Sequence, residues 1–397
     1  MINCFIPFLS LPQARQTVRA LGLCDRIKNI YLLATEKIPD EVEGCEMLMI
    51  DSPASTATFR TIALHADTAY TLLYTKYTAF EPGQFAFERL LAIAGDTNAG
   101  MLYADRYLLK NGNSQQAPVI DYQKGSLRDD FDFGSLLFFR SSVLKQAVRA
   151  MDADYRFAGL YDLRLRVSEL AELVHVNEYL YSEVETDIRK SGEKLFDYVD
   201  PKNRAVQIEL EAVCTAYLKR VGGYLAPDFE PVTFDVGGFE QEASVIIPVR
   251  NRIRTIEDAI RSVLAQKTTF RFNLIIVDNH STDGTSEAIG KYTADGRVVH
   301  LVPERSDLGI GGCWNVGVHH PACGKFAVQL DSDDVYSGPD TLQKIVDAFY
   351  EQNCAMVVGT YRMTDFKMNE IPPGIIDHRE WTLENGRNNA LRINGLG

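Results

Sequence analysis

From residue 243 onward the chain alternates short β-branched runs with stretches of helical apolar spacing, and that alternation restricts the fold more than any other feature. "ASVIIPV" (Ala243 to Val249) has the composition of a strand buried on both faces. In "TIEDAIRSVLAQ", Ile256, Ile260, Val263 and Leu264 fall on one helical face. Thr255 and Asp258 have the spacing of a capping box, with Asp in the Glu/Gln place. "FNLIIV" then reads as a strand, "DNHSTDGT" as a turn, "SEAIGKY" as a helix, "RVVHLV" as a strand, "CWNVGVHHPA" as a helix and "KFAVQL" as a strand. Strands alternating with helices predict an α/β fold around a mostly parallel, Rossmann-like sheet.

The last of these strands runs into carboxylates. "VQLDSDDVYSG" places Asp331, Asp333 and Asp334 together, where like charges repel and raise one another's pKa unless water or a cation separates them. In open α/β sheets, ligands bind beyond the carboxyl ends of the strands. Asp278 ends one strand and Asp331 another, so both are expected to face one crevice, with Asp283, Asp333 and Asp334 nearby. A metal-bound phosphorylated ligand suits that position: Mg²⁺ and Mn²⁺ prefer carboxylate oxygens and neutralise a diphosphate leaving group. A solvated acidic turn is the plain alternative. Asp278 and the strand order weigh against it.

Neighbouring features have plainer readings. The spacing of Gly309, Gly311 and Gly312 matches neither GxGxxG nor GxxxxGK, so close helix packing is expected rather than a phosphate cradle. Adjacent residues on a helix point apart, so His319 and His320 are not expected to share a metal. Asp152-Ala153-Asp154 follows no strand and reads as a solvated turn. Trp314 reads as core. Arg250 and Arg252 are balanced between touching phosphates and capping a loop.

The chain of 397 residues has room for two or three domains. Its formal charge of −13 argues against a nucleic-acid partner. Seven cysteines without a CxxC pair fit a reducing compartment, and no apolar run reaches membrane-spanning length, so a cytoplasmic location is expected. The N-terminal "MINCFIPFLSLPQARQ" lacks a basic start and reads as a first core strand rather than a signal peptide. Between the halves, Val206, Leu210, Val213, Tyr217 and Val221 recur at helical spacing until Gly222-Gly223, which reads as a connecting helix followed by a linker.

"SVIIPVRNR", "IIVDNHSTDGT", "LGIGGCWNVGV" and "VQLDSDD" occur in the order and approximate spacing found in glycosyltransferase family 2, and residues 243–397 resemble that family. The resemblance implies a GT-A fold that binds a nucleotide-sugar. It implies that Pro248, Arg250 and Asn251 form the first donor-binding loop and that Asp278 accepts a hydrogen bond from the base. Asp331 would lie near ribose and metal, with Asp283 also on the donor side. Asp333 would coordinate Mn²⁺ or Mg²⁺, and Asp334 would be a further ligand or orient the loop. The family's second acidic position is Asn279 here, so no carboxylate is expected there. The general base of the family follows the DxD region, and its counterpart is expected beyond Gly397, in a segment this chain would lack.

The first half resembles a worn copy of the same unit. "NCFIPFL" stands at the opening strand and "IKNIYLLATE" at the second. "TFRTIALHADTAYTLLYTKYTAFEPG" stands at the helix, strand and DxD stretch. "DFGSLLFFRSSVLKQA", "FAGLYDLRLRVSEL" and "VHVNEYLYSEVET" resemble the acceptor-side half. Thr75-Lys76-Tyr77 replaces the DxD, Ala34-Thr35 the first acidic pair, and Leu160 the base position, so no metal is expected there. The expected organisation is two tandem GT-A-like domains: 1–195 degenerate, 196–240 helix and linker, and 241–397 the nucleotide-sugar-binding domain, incomplete at its C-terminus.

The implied function is transfer of a sugar from a nucleoside-diphosphate donor, a UDP-sugar first, to a glycan or lipid-linked acceptor in surface polysaccharide synthesis. It would be inverting and metal-dependent, with any membrane association made through the acceptor. The alternative is a non-catalytic nucleotide- or carbohydrate-binding scaffold. Intact Asp278, Asp331 and Asp333 favour the enzyme. A nucleotidyltransferase would need a glycine-rich basic phosphate loop after the first strand, which is missing.

Overall fold

The computed structural model describes residues 1–37, 40–110, 113–184, 204–230, 232–234 and 237–377. The chain divides into two compact units, Met1–Asp228 with the chain from Thr360, and Phe229–Gly359. The boundaries expected from the sequence alone lie at 195 and 241.

In the first unit, β1 (Ile2–Pro7), β2 (Ile27–Ala34), β3 (Glu46–Met49) and β4 (Tyr70–Tyr74) alternate with α1 (Leu11–Gly22) and α2 (Thr56–His65). Then come β5 (Phe80–Pro82), α3 (Ala86–Thr97), a hairpin of β6 (Met101–Lys110) and β7 (Asn113–Ala117), and β8 (Leu136–Arg140). The helices α4 (Ser141–Arg149) and α5 (Gly159–Leu170), strand β9 (Leu173–Val184) and helix α6 (Arg204–Val221) follow. The sheet order is β3-β2-β1-β4-β8-β6-β9-β5, with β7 paired to β6. Strands β1 to β4 are mutually parallel, and β8 joins antiparallel to β4. Side chains alternate across the sheet as period-2 geometry requires. Ile2, Cys4 and Ile6 pack in one core with Val18, Leu21 and Leu90. Phe5, Tyr31 and Leu33 pack in another with Phe59, Leu144 and Leu163.

Helix α6 is a working part of this unit. Its Val213, Cys214, Tyr217 and Leu218 bury against Leu127, Ala158, Tyr161 and Leu165. The carboxylate of Glu209 accepts the backbone N–H groups of Arg156 at 3.1 Å, Phe157 at 2.7 Å and Ala158 at 3.1 Å. It thereby caps the start of α5 from a neighbouring element, where unsatisfied N–H groups and the helix dipole favour negative charge. Gly222 ends α6 at φ +75, a left-handed conformation that glycine adopts without a Cβ penalty.

In the second unit, β10 (Ala243–Val249), α7 (Ile256–Leu264), β11 (Phe272–Asp278), α8 (Thr285–Gly290), β12 (Val298–Leu301), α9 (Ile310–Val318), β13 (Phe326–Gln329) and α10 (Thr341–Gln352) follow in turn. The sheet order is β12-β11-β10-β13, all parallel. This repeats the β3-β2-β1-β4 order of the first unit and agrees with the resemblance between the halves. Val245, Ile247 and Val249 face α7 and α10 through Ile256, Ile260, Val263, Leu342 and Val346. Ile246, Ile275 and Val277 face Cys313 and Trp314 of α9. The result is an α/β fold of three layers. The chain from Thr360, which falls in the first unit, forms an antiparallel hairpin of β14 (Tyr361–Thr364) and β15 (Glu370–Ile376). "NNALRINGLG", where the counterpart of the acceptor segment was expected to begin, lies outside the described residues.

Two local expectations need correction. Thr255 precedes α7, but its hydroxyl has no hydrogen-bond partner, and Asp258 pairs with Arg261 at 2.7 Å, so no capping box forms. The main chain satisfies the turn instead, with the N–H groups of Thr255 and Ile256 donating to Arg252 O at 3.1 and 3.0 Å. The glycine reading holds only in part. A Cβ on Gly312 would meet Leu308 Cδ2 at 2.9 Å, but one on Gly309 or Gly311 would meet nothing within 4 Å. The tight contact is at Gly317, where a Cβ would come within 2.6 Å of Ile246 Cγ2 and so prevent α9 from lying on β10.

Candidate functional site

Strand β13 pairs with β10 only from Ala243 to Ile246, while β11 follows β10 to its end at Val249. Beyond Ile246 the two strands part, and Pro248, which has no N–H to offer, sits buried where β13 has left the ladder. The strand order also reverses here: β11 and β12 lie to one side of β10 and β13 to the other. A parallel sheet opens a crevice at the carboxyl end of such a reversal.

Two turns form one wall of that opening and are tied together. Asn251 N donates to Ser281 Oγ at 3.0 Å, and Thr282 N donates to Asn251 Oδ1 at 2.8 Å. Arg252 N donates to Thr285 Oγ1 at 2.8 Å, and Ile253 N to Asp283 Oδ2 at 3.1 Å. Asp283 Oδ1 accepts from Thr285 N at 3.1 Å. The Thr285 hydroxyl, then the Ile253 and Thr285 amides, hold the Asp283 carboxyl below its ordinary range. Asn251 and His280 both adopt left-handed backbone, at φ 54 and φ 57. Such strain persists only where surrounding bonds over-determine the loop.

Asp278 does not open onto the crevice as expected. It is fully buried just beneath the surface, and both carboxylate oxygens are engaged. Oδ1 accepts Ser281 N at 3.0 Å, Oδ2 accepts the Ser286 hydroxyl, and His300 Nε2 lies 3.4 Å from Oδ2 without hydrogen-bond geometry. Burial alone would raise its pKa, but His300, Ser281 and Ser286 overcome that and hold it well below the usual range. Asp278 therefore sets the shape of the turn. Beside it Asn279 is also buried; its side-chain amide donates to Leu308 O while its Oδ1 has no partner.

On the other side, Asp331 follows β13 half-buried, and Asp333 and Asp334 are exposed. Asp334 N donates to Asp331 O at 3.1 Å, which curls the turn. Though open at its surface, Asp334 is crowded. That desolvation, then the charges of Asp331 and Asp333, raise its carboxyl above the ordinary range. Arg252 crosses the opening to bring Nε within 3.7 Å of Asp333 Oδ2, both side chains about half exposed at 51% and 50%. Arg250 is exposed on the same loop.

Among the described residues, the grouping of His, Cys, Asp or Glu side chains close enough to share an ion is Cys24, Asp25 and Glu88 of the first unit, not the Asp331–Asp334 turn. That turn offers hard carboxylate oxygens at the crevice but no three-ligand cage. Its donor set fits a magnesium- or manganese-like ion that takes one or two protein carboxylates and completes its shell from phosphate and water.

The plainer features fall mostly as expected. His319 and His320 turn to local main chain, at Asn315 O and Ala322 N. Trp314 packs on the α9 face of the sheet. Asp152 and Asp154 are each ion-paired, to Arg166 and Arg60. In the first unit, Thr75 follows β4 as Leu330 and Asp331 follow β13, and its N–H donates to Ser135 O at 2.8 Å. Ala34 ends β2 where Asp278 ends β11. The partners of Asp278 were missed. Ser281 and Ser286 stood in the "HSTDGTS" turn, but His300 comes from β12, and only the pairing of Ile276 with His300 brings it near.

Residues 244–395 match the model of the family described as Glycosyl transferase family 2. An uncharacterized glycosyltransferase of Rickettsia conorii is 38% identical over 97 residues, 24% of this chain and 15% of that protein. A Bacillus subtilis protein named for teichuronic acid biosynthesis, glycosyltransferase TuaG, is 33% identical over 120 residues, 30% of this chain and 46% of that one. The chain thus spans less than half the length of these relatives. Among solved structures, Staphylococcus aureus TarS 1–349 in complex with UDP-GlcNAc overlays with a TM-score of 0.37 at 8% identity, covering 55% of this chain and 72% of that one. A Pyrobaculum calidifontis mannosyltransferase in complex with GDP-Man and Mn²⁺ gives a TM-score of 0.27 at 20% identity, covering 43% and 47%.

Proposed function

We propose, from the match of residues 244–395 to the model of glycosyltransferase family 2, that the second unit binds a nucleoside-diphosphate sugar, with a divalent cation, for transfer to a hydroxyl acceptor. The observation that carries the proposal is the meeting of Arg252 and Asp333 across the strand-order reversal, 3.7 Å apart and open to solvent. A cationic loop end and an acidic loop end then face one crevice, which suits a diphosphate on one side and its metal on the other.

The roles divide by accessibility. Arg250 and Arg252 are exposed and suit the diphosphate. Asn251 and Asp283 hold the loop that presents them, Pro248 frees the space beneath, and Asp278 braces the second turn from inside. Asp331 and Asp333 would hold Mn²⁺ or Mg²⁺, which when bound stabilises the charge developing on the departing diphosphate. Asp334 shapes that turn through its main chain. We favour UDP as the nucleotide, a glycan or lipid-linked acceptor, inversion at the transferred sugar, and a cytoplasmic setting in polysaccharide synthesis. The first unit, with Lys76 and Ala34 at the matching strand ends, serves as scaffold or acceptor-side platform. Among the described residues no helix is long and apolar enough to cross a membrane.

Calorimetry of UDP with and without Mn²⁺ tests this reading. Binding that needs the cation and is lost in Asp333→Ala supports it. UDP binding that is equal in EDTA and in the variant rules out the metal role.

A further inference from the structure

Resting on that reading, we propose that Arg252 is a positioning residue that holds the Asp333 carboxylate in the unloaded protein and competes there with a divalent cation until a nucleoside diphosphate draws the guanidinium away. The main chain of Arg252 is anchored on both sides. Its N–H donates to Thr285 Oγ1 at 2.8 Å, and its carbonyl accepts from Thr255 and Ile256 at 3.1 and 3.0 Å. Its side chain is loosely held by contrast. Nη1 donates to Asn251 O at 3.3 Å, and Nε stands 3.7 Å from Asp333 Oδ2, the outer range of an ion pair. A guanidinium has five donors, and most of these remain free for a ligand.

Three carboxylates share this turn, and among the described residues Arg252 is the cation within ion-pair reach of them. A half-exposed pair at this distance is weak, which suits exchange of partners rather than permanent structure. A diphosphate offers Arg252 a bidentate, doubly charged acceptor that a single carboxylate oxygen at 3.7 Å does not match. With its backbone fixed, the side chain makes the exchange by rotation alone. Asp333 is then left with free lone pairs directed into a crevice that has just received negative charge, the condition under which a hard cation binds best.

The test is Mn²⁺ binding without nucleotide, read by electron paramagnetic resonance of the free ion, in the full chain and in Arg252→Met, which keeps an apolar stem and removes the charge. The variant should bind Mn²⁺ alone about two- to fivefold more tightly, the range set by an exposed ion pair. Raising ionic strength should shrink that gap. UDP with saturating Mn²⁺ should bind the variant more weakly, and Arg252→Lys should fall between. Unchanged Mn²⁺ affinity in Arg252→Met, with metal-dependent UDP binding intact in the parent, overturns the proposal and leaves the nucleotide-sugar reading standing. A parent chain that binds neither Mn²⁺ nor UDP overturns both.

Discussion

Asp283 Oδ2 accepts the backbone N–H of Ile253 at 3.1 Å, and through that bond the turn after β11 holds the turn after β10. Asp283→Ala should release Ile253 and the start of α8 together. Its exposed position predicts a modest stability loss. Nucleotide affinity should fall by about three- to tenfold, because the loop carrying Arg250 and Arg252 must then be ordered on binding. Urea unfolding and calorimetry on one preparation separate the two effects. Equal affinity with a lowered midpoint would remove Asp283 from the donor site.

Asp278 makes a different prediction, in pH. Its folded pKa lies below the ordinary carboxylate value, so ionised Asp278 stabilises the fold above about pH 4, and that contribution is lost as pH falls through the folded value. Asp278→Ala should cost about 2 kcal/mol at neutral pH by leaving the Ser281 amide and Ser286 hydroxyl without their acceptor. The gap between parent and variant should persist to pH 4 and close only in stronger acid. Thermal unfolding across that range shows whether it does.

Asp334 has the opposite sign. Its folded pKa is raised, so the ionised form opposes folding, and the penalty appears as pH rises through the carboxylate range. Asp334→Asn should therefore raise stability near neutral pH by less than about 1 kcal/mol, given its exposure, and change nothing in acid. Added Mn²⁺ should stabilise the parent more than the variant if the charge of Asp334 contributes to cation binding. Equal stabilisation would leave it a purely structural member of the turn.

The glycines of α9 separate packing from access. Gly317→Ala places a methyl 2.6 Å from Ile246 Cγ2 and should destabilise by about 1–3 kcal/mol. Gly311→Ala meets nothing within 4 Å and should stabilise the helix by up to about 1 kcal/mol. If Gly311→Ala also weakens nucleotide-sugar binding while stabilising the free protein, the bare face of α9 is where ligand approaches. Differential scanning calorimetry with and without UDP-sugar reads both.

The legible part of this protein was the part governed by local periodicity. Ala243–Val249 and Phe272–Asp278 are buried throughout, and such runs carry their own signature. That β13 ends beside the acidic turn followed from the same pattern. What the sequence did not disclose depends on groups brought together by the sheet. Asp278 was expected to face ligand because it ends a strand, yet His300 from β12 and Ser286 from α8 turn it inward. Thr255 and Asp258 had the spacing of a cap, but Arg261 offered Asp258 a stronger partner three residues on. Gly309 and Gly311 suggested close packing, and only the placement of α9 shows that Gly317 makes that contact. The pairing of Arg252 with Asp333 joins turns far apart in the chain and has no local signal.

The grip of Glu209 on the amides of Arg156, Phe157 and Ala158 also decides where this polypeptide can be divided. A fragment stopped ahead of Arg204 would lose those acceptors and uncover Leu127, Ala158, Tyr161 and Leu165 at once. Three amides without acceptors and an oily strip of that kind favour aggregation over refolding. Cutting after Tyr224, which also touches that strip, keeps the helix with the half that needs it. Domain-swap chimeras of the amino-terminal half should therefore carry α6 along as cargo, whatever partner replaces the rest.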